Sequence, residues 1–243
     1  RNVYRGRCLS SARAYLHPVK DRTNLTVYCR ALTTKILFEG KKSEGLPRAV
    51  GVEFSKSPRH LEKVFAGEVI CCGGAIYSPQ LLQLSGIGNA EELNQLGIDV
   101  VHDLPGVGEN MQDHLEVYVQ YACKKPVSVS KALKWWNKPW IGYQWLFHRK
   151  GPAATNHFEA GGFIRSNERE KYPNIMFHFL PLAIRYDGTA PEAGHGYQVH
   201  VGPMFSDARG TVKIHSTDPR VHPKLCFNYL STKQDRREWG EAV

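Results

Sequence analysis

Gly74-Ala-Ile-Tyr-Ser-Pro-Gln-Leu-Leu-Gln-Leu-Ser-Gly-Ile-Gly88 is the stretch on which the reading of this chain turns. Upstream, Glu68-Val-Ile-Cys-Cys72 is almost entirely apolar, which predicts a strand buried on both faces that ends at Gly73-Gly74. Ser78-Pro79 then predicts an N-cap with proline at the first helical position. Leu81, Leu82 and Leu84 form the buried stripe, and Gly86 ends the helix. A strand passing through a glycine turn into a helix is the unit from which doubly wound α/β domains are built.

Working outward, Asn89 with Glu92 three residues later predicts a capped second helix through Leu93 and Leu96, closed by Gly97. On the N-terminal side, β-rich runs at Leu25–Cys29, Lys35–Phe38 and Ala49–Phe54 predict a hairpin or meander. Pro105-Gly-Val-Gly-Glu-Asn-Met-Gln-Asp-His114 is a loop by composition and the expected domain boundary. Beyond it, Glu116–Tyr121, Phe158–Arg165, Asn174–Leu180, Tyr197–Val201 and Thr211–His215 read as strands, with one convincing helix between Ser130 and His148. The expectation is α/β followed by α+β. Residues 1–114 form part of a doubly wound domain, and 115–243 part of a domain on a largely antiparallel sheet.

The 243 residues are 42% hydrophobic and 23% charged, as in an ordinary globular protein, which excludes collagen, disordered tails and small disulfide scaffolds. The net charge of +9 admits nucleic acid or an anionic membrane. The basic residues are dispersed and no nucleic-acid-binding motif accompanies them, so nucleic acid is set aside and a peripheral membrane association is left open. Arg1 opens the chain in the middle of ordinary folded sequence, which reads as a fragment. The six cysteines show no CxxC spacing and are expected to be reduced, unpaired and mostly buried.

Gly86-Ile-Gly and Gly106-Val-Gly have the first two glycines of GxGxxG but not the third, so neither is a dinucleotide fingerprint. His157-Phe-Glu159 has the H-x-E spacing of zinc deaminases, but the Pro-Cys-x-x-Cys that would complete such a site is missing, and no metal is assigned.

Gly74–Gly88, followed by Leu104-Pro-Gly-Val-Gly-Glu-Asn-Met-Gln-Asp-His114, strongly resembles the glucose–methanol–choline family of flavin-dependent oxidoreductases. Gly151-Pro-Ala-Ala-Thr-Asn-His-Phe-Glu-Ala-Gly-Gly-Phe-Ile-Arg165 and Gln198-Val-His-Val-Gly-Pro-Met204 are most similar to its choline-oxidising members. The resemblance implies FAD as cofactor and choline or another small alcohol as substrate. A base takes the hydroxyl proton while hydride passes from carbon to flavin, giving betaine aldehyde from choline. Family members carry GxGxxG near the N-terminus and a catalytic histidine near the C-terminus. Both are absent, so no catalytic residue is assigned within this chain. Another alcohol or sugar oxidase of the family, or a truncated product without catalysis, stays open beside the choline reading. The electron acceptor is left open. A mitochondrial location at the inner membrane is what the resemblance implies for such an enzyme.

Similarity points to Glu159 as the carboxylate facing the trimethylammonium group, which needs charge or aromatic faces because it donates no conventional hydrogen bond. From bare sequence Glu159 reads as an exposed strand residue or a partner of Arg165. Trp135, Trp136, Trp140, Tyr143 and Trp145 could form a cage, or pack a helix or interface. For FAD, similarity points to Thr33 on the adenine side and to Asn110, Asp113 and His114 in the 106–114 loop. Their alternatives are an ordinary strand residue and a hydrogen-bonded turn.

Overall fold

Branched and aromatic side chains at alternate positions drive the first sheet of the computed structural model, which describes residues 3–39, 45–57, 60–185, 189 and 194–243. Strands β1 (Leu32–Glu39), β2 (Arg48–Ser57) and β3 (His60–Phe65) form an antiparallel meander in that order. Ile36 and Phe54 are buried, and the β1–β2 register shifts between Thr33 and Lys35. Helix α1 (Gly74–Leu84) follows.

Two expectations are corrected here. Val69–Cys72 is not a buried strand: among the described residues no strand pairs with it, and Ile70, Cys71 and Cys72 stand exposed. An apolar run favours burial, but a strand also needs a hydrogen-bonding neighbour, and among the described residues this one has none. Helix α1 begins at Gly74 rather than after Ser78, because the Gly73–Gly74 turn already redirects the chain. Pro79 therefore lies inside the helix, where it removes the bond that Ala75 would have accepted.

Asn89 caps α2 (Ala90–Gln95) as expected, its Oδ1 accepting from the amides of Glu91 and Glu92 at 3.0 and 3.2 Å. Leu84, Leu93, Ile98 and Ile214 make a buried cluster, with Leu96 and Val100 packed against it. Ile87–Gly88 pairs in parallel with His102–Asp103.

After residue 113 the chain enters a second unit. Its sheet has strands β4 (Val117–Ala122), β5 (Ala160–Ile164), β6 (Ile175–Leu180) and β7 (Gly196–Pro203), all antiparallel in the order β4-β7-β6-β5. Between β4 and β5, two short 3-10 turns lead into α3 (Lys138–His148). Trp135, Trp136 and Trp140 of this segment are exposed, while Trp145 is half-buried and its indole N–H donates to the Gly6 carbonyl at 2.8 Å.

The chain then supplies a ladder of β8 (Thr211–Lys213) and β9 (Lys224–Cys226), followed by α4 (Lys233–Ala242). Helix α4 escaped the sequence reading because its sequence, Lys-Gln-Asp-Arg-Arg-Glu-Trp-Gly-Glu-Ala, has no apolar stripe. The side chains it buries are Asp235 and Glu238.

The two compact units are residues 28–113 with 206–232, and residues 1–27 with 114–205 and 233–243. The chain passes between these units at four points, after residues 27, 113, 205 and 232, where a single division into 1–114 and 115–243 was expected. No helix among the described residues is long and apolar enough to cross a membrane.

Candidate functional site

The first candidate region is a cleft of about 360 Å³ in the unit containing α1, lined by Thr33, Val52, Val69, Cys72, Gly73 and Leu81 among others. Thr33 lies half-buried at the β1 bulge, opposite Phe54. Gly74 opens α1 at a φ of +77°, and a Cβ there would meet nothing within 4 Å. The bare backbone at the helix start is therefore approachable. A largely apolar cleft with the hydroxyls of Thr33 and Tyr77 and an uncovered helix start fits a flat ring carrying a polar tail.

The loop from Gly106 to His114 is held by its own set of contacts. Gly108 has a φ of +79° and lies so close to β8 that a Cβ would collide with the Val212 carbonyl oxygen. The Val212 amide donates to the Gly108 carbonyl at 2.7 Å. Lys213 reaches Glu109 at 2.6 Å and Glu92 of α2 at 2.8 Å. Burial opposes its charge, but the hydrogen bonds to Glu109 and Glu92 outweigh that, and its ammonium stays protonated above the ordinary lysine range.

Of the loop residues singled out above, Asn110 is exposed at a φ of +61°. Asp113 accepts from the Tyr229 hydroxyl. Partial burial, then this bond and the carboxylate charge, push the Tyr229 phenol up to about 12. Among the described residues no hydrogen bond joins Thr33 to Asn110 or Asp113.

His114 and Glu159 belong to the other unit. His114 Nε2 donates to the Met204 carbonyl at 2.9 Å. Glu159 is exposed immediately before β5, and Thr155 Oγ1 donates to its Oε1 at 3.3 Å. Its neighbour Phe158 stands edge-on to His178 at 5.8 Å and to His200 at 5.6 Å between ring centres.

Sequence reasoning missed what lies beneath Phe158. His178 and His200 are directly opposed across β6 and β7. His200 bonds to Glu116 at 2.8 Å and to Gln198 at 2.6 Å, and Gln120 donates to Gln198 at 2.7 Å. Gln198 and His200 are 2% and 6% exposed, so this polar row faces the interior. The signal was present as polar residues at alternate positions, Gln198 and His200 on one strand and Tyr118 and Gln120 on its neighbour.

The six cysteines are free, as expected, but not mostly buried: five are exposed and Cys123 is half-buried. Among the described residues no cluster of three or more His, Cys, Asp or Glu could hold a metal ion.

A family model described as GMC oxidoreductase matches residues 2–116. The chain is 60% identical over 241 residues to the oxygen-dependent choline dehydrogenase of Staphylococcus saprophyticus, covering 99% of this chain and 42% of that protein. The chain thus spans about two fifths of the length of such curated relatives. Pyridoxine 4-oxidase from Mesorbium loti superposes with a TM-score of 0.78 at 26% identity, covering 99% of this chain and 42% of that one. Formate oxidase superposes with a TM-score of 0.86 at 22% identity, covering 98% and 45%, which shows a shared fold. The solved structures share the fold of this chain over nearly its whole length. Over residues 2–116 the chain is thus similar to the GMC oxidoreductases.

Proposed function

We propose that the complete protein to which this chain belongs is an FAD-dependent choline dehydrogenase. The observation that carries this reading is the 60% identity across 99% of the chain to an oxygen-dependent choline dehydrogenase. FAD when bound would supply the hydride acceptor. Thr33 and the backbone at Gly73–Gly74 would hold one end of it, and the loop residues Asn110, Asp113 and His114 another part. No residue of this chain is assigned as the base that takes the hydroxyl proton.

Glu159 is the proposed anchor for the quaternary ammonium group. Its carboxylate is exposed, and among the described residues it accepts from the neutral Thr155 hydroxyl and forms no ion pair. A permanent cation that cannot donate hydrogen bonds is held by such a charge and by aromatic faces. The relatives named are bacterial and lend no support to a mitochondrial place, so none is proposed. Oxygen is the acceptor we favour, on the name those relatives carry. Peripheral membrane association forms no part of the proposal.

The test is Glu159→Gln in the complete enzyme. Removing the charge should cost roughly 1.5 to 3 kcal/mol of choline binding, a tenfold to hundredfold rise in KM. Flavin content should be unchanged. The neutral isostere 3,3-dimethylbutan-1-ol should lose far less; equal losses would make Glu159 structural and favour a general alcohol oxidase.

A further inference from the structure

We propose that His200 is a positioning residue for Glu159: a buried hydrogen-bond relay with only one direction fixes its ring, and the ring holds Phe158, the residue before Glu159. The proposal rests on the reading of Glu159 as the cation anchor.

The direction of the relay follows from donors and acceptors alone. Glu116 can only accept as a carboxylate, so the proton on the His200 ring sits on Nδ1, 2.8 Å from Glu116 Oε1. Gln198 Oε1 is already committed, accepting from Gln120 Nε2 at 2.7 Å and from the Ile184 amide at 3.1 Å. The Gln198 NH₂ therefore points at His200 and donates to Nε2 at 2.6 Å. Turning that amide over would set its NH₂ against two donors. The imidazole is held in one orientation, with both nitrogens used, and it cannot rotate without losing both bonds in a site 6% exposed.

What this rigidity serves is visible at the end of the sheet. The register of β5 with β6 extends only to Ala160, paired with Phe179, so the ladder does not fix residues 158 and 159. The Phe158 ring stands edge-on to the fixed His200 ring, with an interplanar angle of 74°. That aromatic contact takes over where backbone pairing stops.

The experiment measures KM for choline and for 3,3-dimethylbutan-1-ol, with flavin content, in the complete enzyme carrying His200→Leu. KM for choline should rise about tenfold and that for the neutral alcohol less than twofold, with flavin retained. In a Glu159→Gln background His200→Leu should add nothing, because the charge it positions has gone. Glu116→Gln keeps an acceptor for Nδ1 and should restore near-normal values, whereas Glu116→Leu should reproduce the selective loss. Glu116→Leu also serves as the readout if His200→Leu does not fold. Equal KM increases for both alcohols, or losses that add to those of Glu159→Gln, would overturn the proposal. A selective loss in Glu159→Gln with none in the His200 and Glu116 variants would overturn it and leave the anchor standing. No selective loss in Glu159→Gln would overturn both.

Discussion

Gln83 and Val212 are joined by a hydrogen bond of 3.0 Å, the Gln83 Nε2 donating to the Val212 carbonyl. The same side chain donates to the Pro79 carbonyl at 3.0 Å and accepts the Ile214 amide at 3.2 Å. A residue in the middle of the most family-specific stretch thus straps α1 to β8. Ser85 does the same toward β1: its hydroxyl accepts the Ile36 amide at 2.8 Å and donates to the Leu81 carbonyl at 2.6 Å. These polar residues hold elements together, which accounts for buried glutamine and serine where the sequence reading placed only a leucine stripe.

Replacing Gln83 with leucine keeps the volume and leaves the Val212 carbonyl and Ile214 amide buried without their side-chain partner. Each stranded group costs about 1 to 3 kcal/mol, so the two together cost about 2 to 6 kcal/mol. Chemical denaturation should show a lower midpoint with an unchanged slope. A variant as stable as the parent would mean that water replaces the amide.

Gly108→Ala meets two obstacles at once, a left-handed backbone and the Val212 carbonyl in the space of the new methyl group. Left-handed strain alone is worth about 1 to 2 kcal/mol. The collision adds to it and pushes the 106–114 loop away from β8. Thermal unfolding should fall by more than for Gly106→Ala, whose Cβ would meet nothing within 4 Å.

Tyr229 should titrate near 12 in ultraviolet absorbance, above the ordinary 10 of a free phenol. The folded state binds the phenolic proton more tightly than the unfolded state. Its contribution to stability is therefore complete below pH 10 and disappears as the pH rises toward 12. Asp113→Asn removes the charge and should bring the titration back toward 10. An unchanged titration would assign the whole shift to burial.

Alkylation of the native protein without reductant should modify all six cysteines, with half-buried Cys123 the slowest. A pair that resists modification until reductant is added would show a disulfide.

Legibility in the sequence followed the range of the interactions. Asn89 and the strands of the second unit were readable because capping and alternation are local. Val69–Cys72 misled because apolar composition says nothing of a pairing neighbour. Alternation likewise distinguished two faces of β7 without saying which is dry, and the Gln198–His200 row, polar by composition, proved the buried one. Of the residues proposed for binding, Glu159 and Thr33 came from family resemblance. Neither has a local pattern that sets it apart from any exposed glutamate or strand threonine. Helix α4 was illegible because it places acidic side chains where a stripe of leucines would have marked it.

The interleaving of the two units bears on how the protein is made. A ribosome delivers residues 28–113 first, yet the strand that Gln83, Gly108 and Glu109 use lies beyond residue 205. That unit therefore waits, its α1 face and 106–114 loop uncovered, until the whole intervening sheet has been synthesised. It is a nascent chain with a long interval of exposed apolar surface, the condition under which holding chaperones matter most.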